Sequence, residues 1–308
     1  MQASCPICSK QDAPARSAPP SRAPRTRTAT PRTPKASSTV RVRRVQRAPD
    51  DGYENWLVHG LRSSVDGARF ADELAFSEAR LAELAEDPPG LYADVALAAD
   101  PEEATWLAFL IAYIAPGRGA NAWSEIEAAR VPWATGELPA LDGVAGGPRT
   151  AHDPGRGTVT VEAWRHWASR AGGQLPALLG DADWERPRRF ARIFERLALP
   201  GFGRSPRYEF LVSLGALGTV PLEAGTLAIG KDAMDPVVTA AKRVFGIGDA
   251  INIERRAADL VRETGVPFAA LDLALFNLDR VEDERATMGA RRSADPERRA
   301  AIGRKLGV

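Results

Sequence analysis

The sequence predicts an all-α body behind a basic, disordered N-terminal arm, on three observations. From about Tyr53 onward apolar residues recur at helical spacing, as in Leu74, Ala75, Ala79, Leu81, Leu84 and Ala85. Runs of alternating β-branched residues are nearly absent, Thr158-Val-Thr-Val161 being the sole candidate strand. Residues 10–50 are rich in Pro, Ala, Arg, Ser and Thr, with almost no large apolar residue before Val40. Such a segment buries too little surface to offset the entropy of ordering it.

Within the body, Pro101-Glu-Glu103 is a helix start, with Pro near the first position and acids in the first turn. It leads into Trp106–Ala115, apolar on every side and therefore a buried central helix, stopped by Pro116-Gly117. Residues 117–160 are irregular and rich in Gly and Pro, with a short helix near Trp123 to Ala129; 131–160 reads as a long functional loop. Helical patterning resumes at 161–171, 182–198, 206–217, 234–243, 249–264 and 267–278. The organisation expected is an arm at 1–50, one helical domain at 51–284 and a charged tail or helix at 285–308.

Charge divides the same way. The 308 residues carry a net +1, but residues 1–50 hold eleven Lys/Arg against Asp12 and Asp50, a net +9 that leaves −8 on the remainder. The arm suits phosphates, whereas the acidic body argues against coating DNA non-specifically. The only cysteines are Cys5 and Cys8, half of a zinc spacing with no second pair, so neither a metal site nor a disulfide framework is expected. That cysteine usage, the lack of a secretory h-region and an apolar run too short for a bilayer point to a cytoplasmic protein away from membranes.

Two stretches share one pattern: Leu199-Pro-Gly-Phe-Gly-Arg204 and Val244-Phe-Gly-Ile-Gly-Asp249, each between two helical segments. Paired glycines permit positive φ and close approach of another chain, and the apolar residue between them is expected to plug into the core. The N–H groups opening the next helix then face outward to hold phosphate. Gly201, Gly203, Arg204 and Arg207 in the first copy, and Lys242, Gly246 and Gly248 in the second, are the candidate DNA-binding residues. The first copy has the better charge, with seven Arg and two Glu in 185–207, while Asp249 disfavours phosphate at the second. Simple helix junctions give the same glycine pattern.

Asp272 follows in Phe268–Leu278, on the margin of the stripe formed by Phe268, Leu271, Leu275 and Leu278 and too deep in the helix to be a cap. A carboxylate there is either paired, with Arg255 or Arg256 as candidates, or kept for catalysis. For stacking an extruded base, Trp123, Trp133, Trp164, Trp167 and Trp184 are available, though core packing is the commoner role of any one.

This order of features resembles the helix-hairpin-helix DNA glycosylase superfamily, in which a Leu-Pro-Gly-Val-Gly hairpin precedes a segment like Leu271-Asp-Leu-Ala-Leu-Phe276. The lysine of bifunctional glycosylases is missing, Asp249-Ala-Ile251 standing there, and no four-cysteine cluster exists. Residues 192–278 resemble more closely the α-glutamyl/putrescinyl thymine pyrophosphorylases, on Leu199–Arg204, Lys242–Gly248 and Ala269–Asn277. The resemblance implies an all-α glycosylase-like fold, Asp272 as catalytic carboxylate and a DNA substrate. It further implies an amine or amino-acid co-substrate that displaces pyrophosphate from an activated hydroxymethyl pyrimidine, without a cofactor. Base excision and non-catalytic DNA binding are the alternatives.

Overall fold

A computed structural model of the chain describes residues 45–308 apart from Lys231; the arm's first 44 residues, with Cys5 and Cys8, lie outside the described residues. The described residues form twelve α-helices and no strand. In order these are α1 (Ser64–Glu86), α2 (Leu91–Leu97), α3 (Pro101–Ile114), α4 (Ser124–Ala129), α5 (Val159–Arg170) and α6 (Gln174–Leu179). There follow α7 (Arg186–Arg196), α8 (Arg204–Ala216), α9 (Pro236–Phe245), α10 (Ala250–Thr264), α11 (Phe268–Asn277) and α12 (Pro296–Leu306). Among the described residues no helix is long and apolar enough to cross a membrane.

Helix α3 is the buried centre of one half, with Ala104 to Ile114 all inside. Asp100 caps it by accepting from Glu102 N at 2.9 Å, beside Pro101 at the first turn. The two acids that follow do more than favour the helix dipole. Glu102 accepts from Gln174 N and Leu175 N, both at 2.8 Å, and so starts α6. Glu103 accepts from Trp133 N and Ala134 N at 3.0 and 3.1 Å and pins the loop. Phe109 stacks on Trp164 at 4.3 Å between ring centres and meets Phe202 at 5.3 Å. Helices α2, α4, α6 and α8 pack round α3, while α1 packs on α8, α11 and α12 and so joins the second half, in which α9 and α10 also lie.

The body differs from the sequence expectation at its one candidate strand. Thr158–Val161 is not a strand: Thr158 precedes α5 and the β-branched residues form its first turn, with Thr160 and Val161 buried. Residues 285–308, expected as a charged tail or helix beyond the helical domain, include α12, which packs on α1. Ile302 and Leu306 enter the core, and Arg298 pairs with Glu78 of α1 at 2.6 Å. The charges of α12 mark its outer face, and two apolar residues were too few to show periodicity. Ile302→Ala is expected to lower stability by about 2–5 kcal/mol, the cost of a core cavity. A loss below about 0.5 kcal/mol in denaturant melts would show α12 to be peripheral.

Candidate functional site

The first hairpin is built on a plug. After α7 the chain turns at Leu199, which accepts from Phe202 N at 3.1 Å, with Gly201 at φ +77°. Phe202 is 2% exposed and wedged against Phe109 and Phe210. Helix α8 then begins at Arg204 with Gly203 in the cap position and no side-chain cap bond. A capless start leaves the N–H groups of Arg204 and Ser205 available, and Pro206 has none to satisfy.

Gly203 is informative because its own fold does not need a glycine. Its φ is −63° and a Cβ there would meet nothing within 4 Å. A side chain there would point into open space. Arg156 adds a cation at the same place, its Nη1 lying 2.6 Å from where a Cβ of Gly201 would be. The exposed Arg188, Arg192 and Arg196 line one face of α7 up to the hairpin. Two further arginines of the basic stretch, Arg189 and Arg207, serve the fold. Arg189 is buried and donates to Leu179 O at 2.8 Å, and Arg207 lies 3.9 Å over Phe194. Burial, then the neighbouring Arg204, pulls Arg207 down to about 10.

The second hairpin has the same residues and a different construction. Gly246 takes φ +84°, but Ile247 is 96% exposed, contrary to the expected plug. The space beneath is already filled by Val244, Phe245 and the segment Leu57–Leu61, whose Gly60 N donates to Val244 O at 2.9 Å. Asp249 caps α10 by accepting from Asn252 N at 2.8 Å, so a carboxylate occupies the anion position. Gly246, Gly248 and the exposed Lys242 therefore sit apart from Gly201, Gly203, Arg204 and Arg207, at the far end of α9.

Asp272 is 1% exposed and lies between two guanidiniums. Arg149 donates to its Oδ2, and Arg204 Nη1 stands 2.5 Å from Oδ1. Neither is an arginine expected from the sequence: Arg255 is exposed on α10, and Arg256 donates to Phe245 O. The side of α11 that carries Asp272 faces α8 and the loop, not α10. Arg149 also stands 3.4 Å from the buried Glu209 of α8 and donates to Ser205 O at 3.3 Å. Burial works to lower its pKa, but Asp272 and Glu209 outweigh that and raise it.

Over this quartet opens a cavity of about 260 Å³ whose wall includes Arg149, Arg204, Ser205, Asp235, Phe276 and Arg280. Asp272 lies beneath the wall and is not part of it. Two carboxylates line the cavity, the exposed Asp232 and the buried Asp235, the N-cap of α9. Asp235 Oδ1 accepts from Val237 N at 2.9 Å and Val238 N at 3.2 Å, and its Oδ2 accepts from Ser205 Oγ at 2.8 Å. Met234-Asp-Pro236 is a legible helix start, yet only the tertiary fold shows that this cap faces the first hairpin. Arg149, in an irregular Gly-Gly-Pro-Arg-Thr stretch, carries no sequence signal at all. The aromatic ring at the cavity is Phe276, between the guanidiniums of Arg149 at 4.9 Å and Arg280 at 4.0 Å. Trp164 and Trp167 lie in the core, and Trp123, Trp133 and Trp184 pack against it. Among the described residues no group of three or more His, Cys, Asp or Glu is placed to hold a metal. Comparison with protein-family models, with curated proteins and with solved structures finds no match to this chain.

Asp272→Asn leaves two buried guanidiniums short of counter-charge and is expected to destabilise the fold by about 3–5 kcal/mol. Wild-type stability in Asp272→Asn denaturant melts would refute the pairing. A second expectation concerns Glu209, pushed up from 4.5 to about 7 by burial, with Arg149 opposing and Asp272 reinforcing. An acid that holds its proton more tightly when folded stabilises below its unfolded pKa and loses that as pH rises through its folded one. Glu209→Gln should thus gain on wild type between about pH 5 and pH 8, by up to about 3 kcal/mol. Glu73, also raised to about 7, stays in both proteins and cancels. A stability difference flat in pH would rule this out.

Proposed function

We propose that the protein binds duplex DNA through the first hairpin and modifies one extruded base in the adjoining cavity. The observation that carries this is the uncapped start of α8, with open space over Gly203, directly beside a cavity walled by two buried arginines. An N-terminus of this kind takes phosphate oxygen, and Arg156 and the α7 arginines supply the counter-charge. The cavity, at about 260 Å³, is smaller than the pockets of about 300–1,000 Å³ that hold drug-sized ligands, which suits a single heterocycle.

The reaction we assign is that implied by the resemblance to thymine pyrophosphorylases: an amine displaces pyrophosphate from an activated hydroxymethyl pyrimidine. The amine lone pair forms the new C–N bond at the exocyclic methylene, and the C–O bond breaks with its electron pair going to pyrophosphate. The amine proton passes to a carboxylate. Of the two carboxylates on the cavity wall, Asp232 and Asp235, we assign this to Asp235, which Ser205 holds against α8; Asp272, held between Arg149 and Arg204, fixes the two guanidiniums that would face the departing anion. Asp272 is thus a positioning residue in this reading. Its direct participation would require at least one of those arginines to move.

Duplex DNA containing 5-pyrophosphoryloxymethyluracil, incubated with the full chain and a panel of amines, is expected to yield a base adduct and pyrophosphate. Asp235→Asn should retain DNA binding while losing turnover by about 10²–10⁴-fold, the usual worth of a general base. An abasic product would assign a glycosylase instead, and binding without any product would leave a non-catalytic DNA-binding protein.

A further inference from the structure

The second hairpin is left over by this reading, and its construction is unusual. Ile247 is 96% exposed at the tip, and Ile251, in the first turn of α10, is 79% exposed. Large apolar side chains this bare are costly to present to water unless a partner covers them. The tip is braced on every side. Gly60 packs against Gly246, and its N–H holds Val244 O. Arg256 donates to Phe245 O below the turn, and Asp249 accepts from Asn252 N above it. The exposure is therefore a fixed feature of the backbone. Ile247 projects as a knob between two glycines.

The surroundings are cationic. Lys242, one turn before the tip, and Arg255, one turn beyond Ile251, are both exposed, and the exposed Asp249 between them offsets part of that charge while capping α10. An apolar knob flanked by cations fits a duplex, where the side chain enters a base step and the cations meet phosphates on either side. The spacing agrees. Helix α9 has Asp235 of the cavity at its start and the tip at its end, and its ten residues span about 15 Å. That is about four to five steps of about 3.4 Å along a strand. We propose that Ile247, supported by Ile251, is a wedge that unstacks a base step of the same duplex about four to five base pairs from the base held in the cavity. This rests on the reading of the first hairpin and cavity as a DNA site.

The test uses the full chain and duplexes carrying one 5-hydroxymethyluracil and a 2-aminopurine placed one to eight pairs away. Wild type is expected to raise 2-aminopurine emission most at four or five pairs. Ile247→Ala should abolish that rise and weaken binding about tenfold, with the salt dependence unchanged because no phosphate contact is lost. Arg156→Ala, a first-hairpin change, should instead reduce the salt slope by about 1 and leave the emission pattern in place at saturation. Both isoleucines are exposed, so their substitution should leave thermal melts unchanged, which checks that the variant is folded. Wild-type affinity and emission in Ile247→Ala and Ile247→Asp, with Arg156→Ala weakened, would overturn the wedge and leave the first hairpin standing. Absence of any duplex binding by wild type would overturn both. An oligomer that dissociates in Ile247→Ala, with DNA affinity intact, would make the tip a self-association surface and refute the wedge.

Discussion

Asp272 meets Arg149 and Arg204 where water is excluded, and Glu209 closes the group from the other side of Arg149. Arg149 comes from an irregular loop and Arg204 from the first residue after a glycine turn. Each carboxylate comes from a helix that the core fixes anyway. Two cations and two acids together bring the loop, the first hairpin, α8 and α11 into one arrangement. Desolvating four ionisable groups costs more than hydrophobic substitutes of the same volume would, so the quartet is a poor device for stability alone. Its yield is position. It holds two arginines at the floor of a cavity with their orientation set from below.

That arrangement explains why two hairpins with one pattern serve different ends. At the first, Phe202 enters an aromatic cluster on α3, and the turn is drawn down until Gly203 and the bare start of α8 form the rim of the cavity. At the second, the segment before α1 occupies the place a plug would take, so the turn is lifted and Ile247 points out. The same Gly-apolar-Gly sequence thus yields an anion-accepting rim in one context and an apolar projection in the other. The difference lies in Asp249, which closes one helix start, and in what lies underneath.

Much of the architecture was legible from periodicity. The central helix 101–114, the hairpin helices and the helix bearing Asp272 fall within a few residues of their expected bounds, because each has an apolar stripe and a Pro, Asp or Gly at its ends. Short helices without a stripe, such as 91–97 and 174–179, were not legible, since α6 owes its start to Glu102 from another helix. The site was legible in its parts and not in its assembly. Asp272 and Arg204 stand out by pattern, yet nothing local says that they pair, and Arg149 sits 123 positions before Asp272 in a stretch without periodicity. Asp235 reads as an ordinary cap until the fold sets it against Ser205.

The placement of charge also bears on how such a site would act. A carboxylate between two guanidiniums presents little net negative potential, so the cavity floor favours an anion over a cation. Asp235 accepts from two N–H groups and a hydroxyl and lies on the wall. One end of the cavity can then stabilise a departing anion while the other accepts a proton, a separation that a single exposed carboxylate cannot provide. Glu209 sits behind Arg149 with its proton affinity raised into the neutral range by burial. When it ionises, Arg149 is shared between two carboxylates and its pull on an incoming anion weakens. The electrostatics of the floor are in this way tied to the protonation of a residue that never touches the cavity.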